Sequence, residues 1–62
     1  MKLYREGTLL KDCLGELWTI TKILKWASGS VGCYDLVRLR DGGISQCSCK
    51  VAHLEYDFVS EA

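Results

Sequence analysis

Leu17-Trp18-Thr19-Ile20-Thr21-Lys22-Ile23-Leu24-Lys25-Trp26 is the stretch on which the fold turns. Its β-branched and aromatic residues favour extended chain, and Trp18 and Ile20 alternate with Thr19 and Thr21 as in a strand with one buried face. The alternation slips at Lys22 and Ile23. A bulge there predicts that Ile20 and Ile23 both face inward, the kind of bend by which one long strand serves two sides of a small barrel.

Outward from this strand the chain keeps a turn-and-strand rhythm. Glycines at 7, 15, 29, 32, 42 and 43, with no proline, punctuate segments at Gly7–Gly15, Gly32–Arg40, Ile44–Val51 and Glu55–Val59. Ala27 to Gly32 reads as a small-residue loop, and Ala52-His53-Leu54 as a single short 3-10 turn before the last strand. The expectation is one all-β domain over residues 1–62, a five-stranded small barrel, with a frayed tail at Ser60–Ala62. At 62 residues, folding removes only about 60% of the unfolded chain's surface, so a dimer or a tight partner is expected to add stability.

The segment Asp41-Gly42-Gly43 assigns faces. A three-residue loop with glycine in the left-handed position pairs Arg40 with Ile44, Leu39 with Ser45, Val37 with Cys47, Asp35 with Cys49 and Cys33 with Val51. That register turns Leu39, Val37, Cys33, Cys47, Cys49 and Val51 inward. It turns Arg40, Arg38, Leu36, Tyr34, Ile44, Gln46, Ser48 and Lys50 outward. A slip of one residue exchanges the faces, and Asp35, placed inward, needs a hydrogen-bond partner or a different register.

Eight Lys plus Arg balance eight Asp plus Glu, and the sequence pI is near 6.5. That balance disfavours a sequence-independent grip on a phosphate backbone, which needs a basic face. No apolar run reaches membrane-spanning or signal-peptide length, so the expected location is the cytoplasm, with no membrane partner. A reducing cytosol favours thiols or a metal site over disulfides. Cys13, Cys33, Cys47 and Cys49, with His53, could in principle supply zinc ligands, but Cys47-Ser-Cys49 on a straight strand points two thiols in parallel instead of curling them around a metal. Small buried apolar packing is the preferred reading of these cysteines, and no cofactor or metal is expected.

Catalysis has little to rest on. His53 on its turn reads as exposed, the carboxylates are scattered, and Gly29-Ser-Gly sits in no strand-to-helix context that would make it a phosphate loop. A surface that binds is what remains. Trp26 beside the Ser28–Ser30 loop, with Tyr34, Leu36 and Ile44 flanked by Arg38, Arg40 and Lys50, is the expected partner-binding face, unless Trp26 folds back over the core. The same residues could instead stack on single-stranded nucleic acid, the less favoured partner.

This order of strands, with the bent second strand, the glycine-closed hairpin and the turn at Ala52-His53-Leu54, resembles an SH3-like small barrel across residues 3 to 60. Lys11-Asp12-Cys13-Leu14-Gly15 with Trp18-Thr19-Ile20, Arg40-Asp41-Gly42 with Gln46-Cys47, and Phe58 resemble small uncharacterised proteins encoded by phages and prophages. The sequence departs from SH3 domains that bind proline-rich peptides, lacking the Ala-Leu-Tyr-Asp-Tyr opening and the paired groove tryptophans. It also lacks the Val-Gln-Ile-Tyr segment of the SH3-like dihydrofolate reductases. The phage resemblance implies a non-enzymatic accessory protein, an inhibitor that occludes a host or anti-phage defence protein. The other readings are a nucleic-acid-binding barrel and a structural homo-oligomer, a homodimer being the simplest.

Overall fold

The computed structural model describes residues 3–61. Five strands form one antiparallel sheet: β1 (Leu9–Lys11), β2 (Leu17–Lys25), β3 (Val31–Arg38), β4 (Ile44–Ser48) and β5 (Asp57–Ser60). A seven-residue helix, α1 (Cys49–Glu55), joins β4 to β5. The spatial order is β4-β3-β2-β1-β5, so the last strand returns beside the first. The fold is mostly β as expected, but the expected barrel closure is absent: β4 and β5 remain the two edges of an open sheet.

The bend in β2 falls where the sequence puts it. The register against β3 shifts between Ile20 and Lys22, which leaves Ile20 buried and lets Ile23 pack against the same core. That core is small: Leu10, Trp18, Ile20, Tyr34, Leu36 and Ala52 are its buried apolar members, with Tyr4, Ile23, Val31, Cys47, Cys49 and Tyr56 packed around them. Each fully buried large side chain contributes roughly 1.5–3 kcal/mol, so a handful of residues carries most of the burial free energy. Thr8 is the buried polar residue, and its Oγ1 accepts from the Arg5 amide at 3.1 Å.

The β3–β4 hairpin corrects the expected register. The Arg38 amide donates to Gly43 O at 2.7 Å and the Gly42 amide to Arg38 O at 2.8 Å, closing a four-residue loop with Gly42 at φ 77. Val37 then pairs with Ile44, Leu36 with Ser45, Tyr34 with Cys47 and Cys33 with Ser48. The ladder has slid by three residues, an odd number, so β3 turns over relative to the expectation while β4 does not. Tyr34 and Leu36 are therefore fully buried instead of forming an outer face, and Cys33 and Val37 leave the inner one. The cause lies in side chains of the loop itself. Arg38 Nε and Nη2 donate to the two oxygens of Asp41 at 2.8 and 2.9 Å, and Asp41 Oδ1 also accepts from the Gly43 amide at 2.9 Å, which winds the chain one residue further than a three-residue loop. Asp35 lands on the outer face, where Gln46 Nε2 donates to it at 2.8 Å, so no carboxylate is stranded in the core.

Helix α1 is the second correction. The expected strand to Val51 and 3-10 turn give way to an α-helix from Cys49, because Ser48 is an N-cap: its backbone is extended, and its Oγ accepts from the Val51 amide at 3.1 Å. The carboxyl end is also more ordered than expected. Ser60 closes β5 and Glu61 reaches Arg5 at 3.4 Å, while Ala62 lies outside the described residues. No helix among the described residues is long and apolar enough to cross a membrane.

Candidate binding surfaces

Beyond Cys33, the last residue of β3 paired with β4, strands β2 and β3 run on as a short two-stranded arm. Its tip is a tight hairpin in which the Trp26 carbonyl accepts from the Gly29 amide at 2.9 Å and the Trp26 amide donates to Ser30 O at 2.8 Å, with Gly29 at φ 90. The loop Ala27-Ser28-Gly29 thus has the three-residue form expected for the other hairpin. Ser28 and Ser30 hydroxyls lie 2.9 Å apart across it.

Trp26 is 64% exposed, so it is no lid on the core. Its indole nevertheless lies on the backbone of Gly32 in β3, where a Cβ would sit 2.6 Å from Trp26 Cε2. Only glycine admits that approach, as in other strands where a ring or a backbone comes close. One face of the ring is supported by the arm, and the residue still exposes most of its surface. Lys25 precedes it, exposed.

At the opposite end of the hairpin stands a polar network. Trp18, the tryptophan within β2, is 8% exposed, and its Nε1 donates to Asp12 Oδ2 at 2.9 Å. Asp12 Oδ1 accepts from the Leu14 and Glu16 amides at 2.9 Å, so one carboxylate both shapes the β1–β2 turn and anchors the indole. Its pKa is lowered, first by the bond from Trp18. The Arg38 guanidinium lies 5.3 Å over the Trp18 ring and holds Asp41 down at about 2. Arg40 Nε reaches Glu16 Oε1 at 2.8 Å and ties the two turns together.

The residues expected to form one partner-binding face are thereby divided. Trp26 sits at the arm tip, Arg38, Arg40 and Ile44 gather at the far turn, and Lys50 lies exposed in the first turn of α1. Tyr34 and Leu36 are in the core. The expected face missed Gly32, Leu39 and Phe58; a glycine inside a strand-like run is a sign of close approach, and it was the signal for Gly32. Leu39, Ile44 and Phe58 are large apolar side chains more than half exposed.

A third feature is a cleft of about 270 Å³ lined by Tyr4, Thr8, His53, Phe58 and Glu61. The Tyr4 and His53 rings stack at 4.1 Å and 16°, and Phe58 stands 5.9 Å from Tyr4. His53 is half-buried, not exposed as expected, and its Nε2 is a buried nitrogen without a hydrogen bond. Burial pulls its pKa below the usual value. Next to the cleft, the Tyr34 hydroxyl accepts from the Tyr4 amide at 3.2 Å and lies 3.5 Å from Cys49 Sγ. Burial, chiefly, pushes Tyr34 up to about 12.

The cysteines do not converge. Cys47 and Cys49 pack on the core as expected, Cys33 lies on the turned-over side of β3, and Cys13 is exposed in the β1–β2 turn. Among the described residues no group of three or more His, Cys, Asp or Glu side chains could hold a metal ion. Compared with family models, curated proteins and solved structures, the chain matches none.

Proposed function

We propose that this chain is a small non-enzymatic binding module that engages a protein partner through the Trp26 arm. The observation that carries this reading is an exposed indole held in place on Gly32. A large ring fixed before binding loses little conformational freedom when it is covered, and tryptophan is the residue most often found at the energetic centre of interfaces. Strand order β4-β3-β2-β1-β5, with a short helix before the returning last strand, supports an SH3-like frame for the arm. On the resemblance to phage-encoded proteins, the partner is a host or defence protein in the cytoplasm, blocked by occlusion of its surface.

Binding to single-stranded nucleic acid is disfavoured by the charge pattern. Arg5, Arg38 and Arg40 are each paired with a carboxylate, and the chain's positive and negative charges balance. The test is retention of a protein on the immobilised chain, compared with Trp26→Ala and with Gly32→Ala at unchanged melting temperature. A single retained protein that both variants lose supports the proposal. Retention indifferent to Trp26, or a single-stranded DNA complex that weakens steeply with salt, overturns it.

A further inference from the structure

We infer that the cleft between Tyr4, His53 and Phe58 is a binding site for a guanidinium group, separate from the Trp26 arm. Its walls are rings. The His53 and Phe58 rings stand 16° and 24° from the plane of Tyr4, with centroids 4.1 and 5.9 Å from it, so the aromatic surface is built of nearly parallel plates. Plates at these angles stack a flat group, and they lack the crossed walls that surround a round ammonium. Phe58 keeps 51% of its surface exposed, so its ring is open to a ligand.

The sign of the ligand's charge follows from the lining. Among the described residues the cleft is lined by one carboxylate, Glu61, and by no lysine or arginine. Burial holds His53 below its usual pKa, so at neutral pH that wall carries no positive charge. Tyr4 is pushed up by burial first, and then by the acidic groups of Cys49 and Asp57, so its hydroxyl also lies on the negative side. A flat cation with several N–H donors meets both parts of the site, because it lies on the rings and forks onto the carboxylate. A lysine ammonium meets only the second.

The chain itself brings a guanidinium to this carboxylate. Arg5 Nε reaches Glu61 Oε1 at 3.4 Å, against 2.8 Å for the pairs of Arg38 with Asp41 and Arg40 with Glu16, and the Arg5 side chain is 78% exposed. Arg5 does not line the cleft, so it meets Glu61 from outside, and an exposed pair of this length contributes little. A guanidinium backed by the rings displaces it at small cost. The volume of about 270 Å³ lies just below the roughly 300–1,000 Å³ of sites for drug-sized ligands, so the cleft takes one side chain or one small solute. The source of the group is an arginine of a partner protein or a free alkylguanidine.

The test is an NMR titration of the isotope-labelled full chain with ethylguanidinium, a capped Gly-Arg-Gly peptide and a capped Gly-Lys-Gly peptide. The expected result is saturable shifts at Tyr4, Phe58 and Glu61, with both guanidinium probes binding roughly fivefold or more tighter than the lysine peptide. Equal affinity for the two guanidinium probes assigns the site to a free solute, and tighter binding of the arginine peptide assigns it to a protein-borne arginine. Glu61→Gln is expected to weaken binding roughly fivefold or more, and Arg5→Gln to strengthen it about twofold by removing a competitor. Either variant breaks the same ion pair, so opposite signs are what a merely structural pair would not give. Phe58→Ala is expected to weaken binding with unchanged circular dichroism. No saturable shift, equal binding of the lysine peptide, or a change of the same sign in Glu61→Gln and Arg5→Gln overturns the inference. Trp26→Ala is expected to leave the titration unchanged, so partner retention through the arm stands or falls separately.

Discussion

The two tryptophans stand eight positions apart, Trp18 within β2 and Trp26 just past its end, and have opposite surroundings. Trp18 is sealed: its ring is in the core, its N–H is bound to Asp12 and a guanidinium covers it. Trp26 is open, and the backbone of Gly32 holds it. The difference teaches that an exposed aromatic need not be a loose one. The fold uses five strands and a polar network to fix the first ring, and a single missing Cβ to seat the second.

The comparison is broken most severely from the core side. Leu36→Ala or Trp18→Ala is expected to cost about 3–5 kcal/mol, a large part of what a domain of this length possesses, and to leave the chain largely unfolded by circular dichroism. Trp26→Ala is expected to change stability by no more than about 0.5 kcal/mol while abolishing partner retention. Equal destabilisation by the two tryptophan truncations would remove the distinction between them.

A smaller effect is expected at the helix. Ser48→Ala removes the cap on α1 and is expected to cost about 1 kcal/mol, read as a shift in the urea midpoint with unchanged slope. Acid sharpens the contrast at the cleft. His53 has a depressed pKa because its ring is buried against Tyr4, so its neutral form belongs to the folded state and its contribution is whole above the unfolded value near 6.5. That contribution is lost as pH falls from about 6.5 through the lower folded pKa. The melting temperature is expected to drop between neutral pH and pH ~5, and to drop less in His53→Phe. An identical pH profile in the variant would exclude His53 as the cause.

Much of the fold was legible in the sequence, and its failures share one physical origin. The bend in β2 was readable because alternation breaks visibly at Lys22-Ile23, and the inward course of Ile20 and Ile23 follows from local pattern alone. The faces of β3 were not readable in the same way. Tyr34 and Leu36 alternate as cleanly as Cys33 and Val37, so the choice rested on loop length, and loop length was set by a tertiary-like contact between Arg38 and Asp41 that no period reveals. The Ser48 cap was equally silent, since Ile44 to Val51 alternates well enough for a strand. As for the candidate site, Trp26, Arg40, Ile44 and Lys50 do lie on the surface, but at different ends of the molecule. Gly32 was punctuation in the sequence and became the seat of the indole in three dimensions.

The smallest perturbation probes that seat. Gly32→Ala keeps an ordinary backbone conformation but drives a methyl against the Trp26 ring, and is expected to shift the Trp26 resonance of a fluorotryptophan-labelled chain while leaving Trp18 in place, with little loss of stability. The most direct measurement is a nitrogen-resolved nuclear Overhauser spectrum of the parent chain, read together with exchange of the two indole N–H groups. The expected result is contact between the Trp26 ring and the Gly32 α protons, with slow exchange at Trp18 Nε1 and fast exchange at Trp26. A Trp26 ring with no contact to Gly32, or with an N–H as protected as that of Trp18, would contradict the claim that this chain carries an exposed, pre-set aromatic anchor.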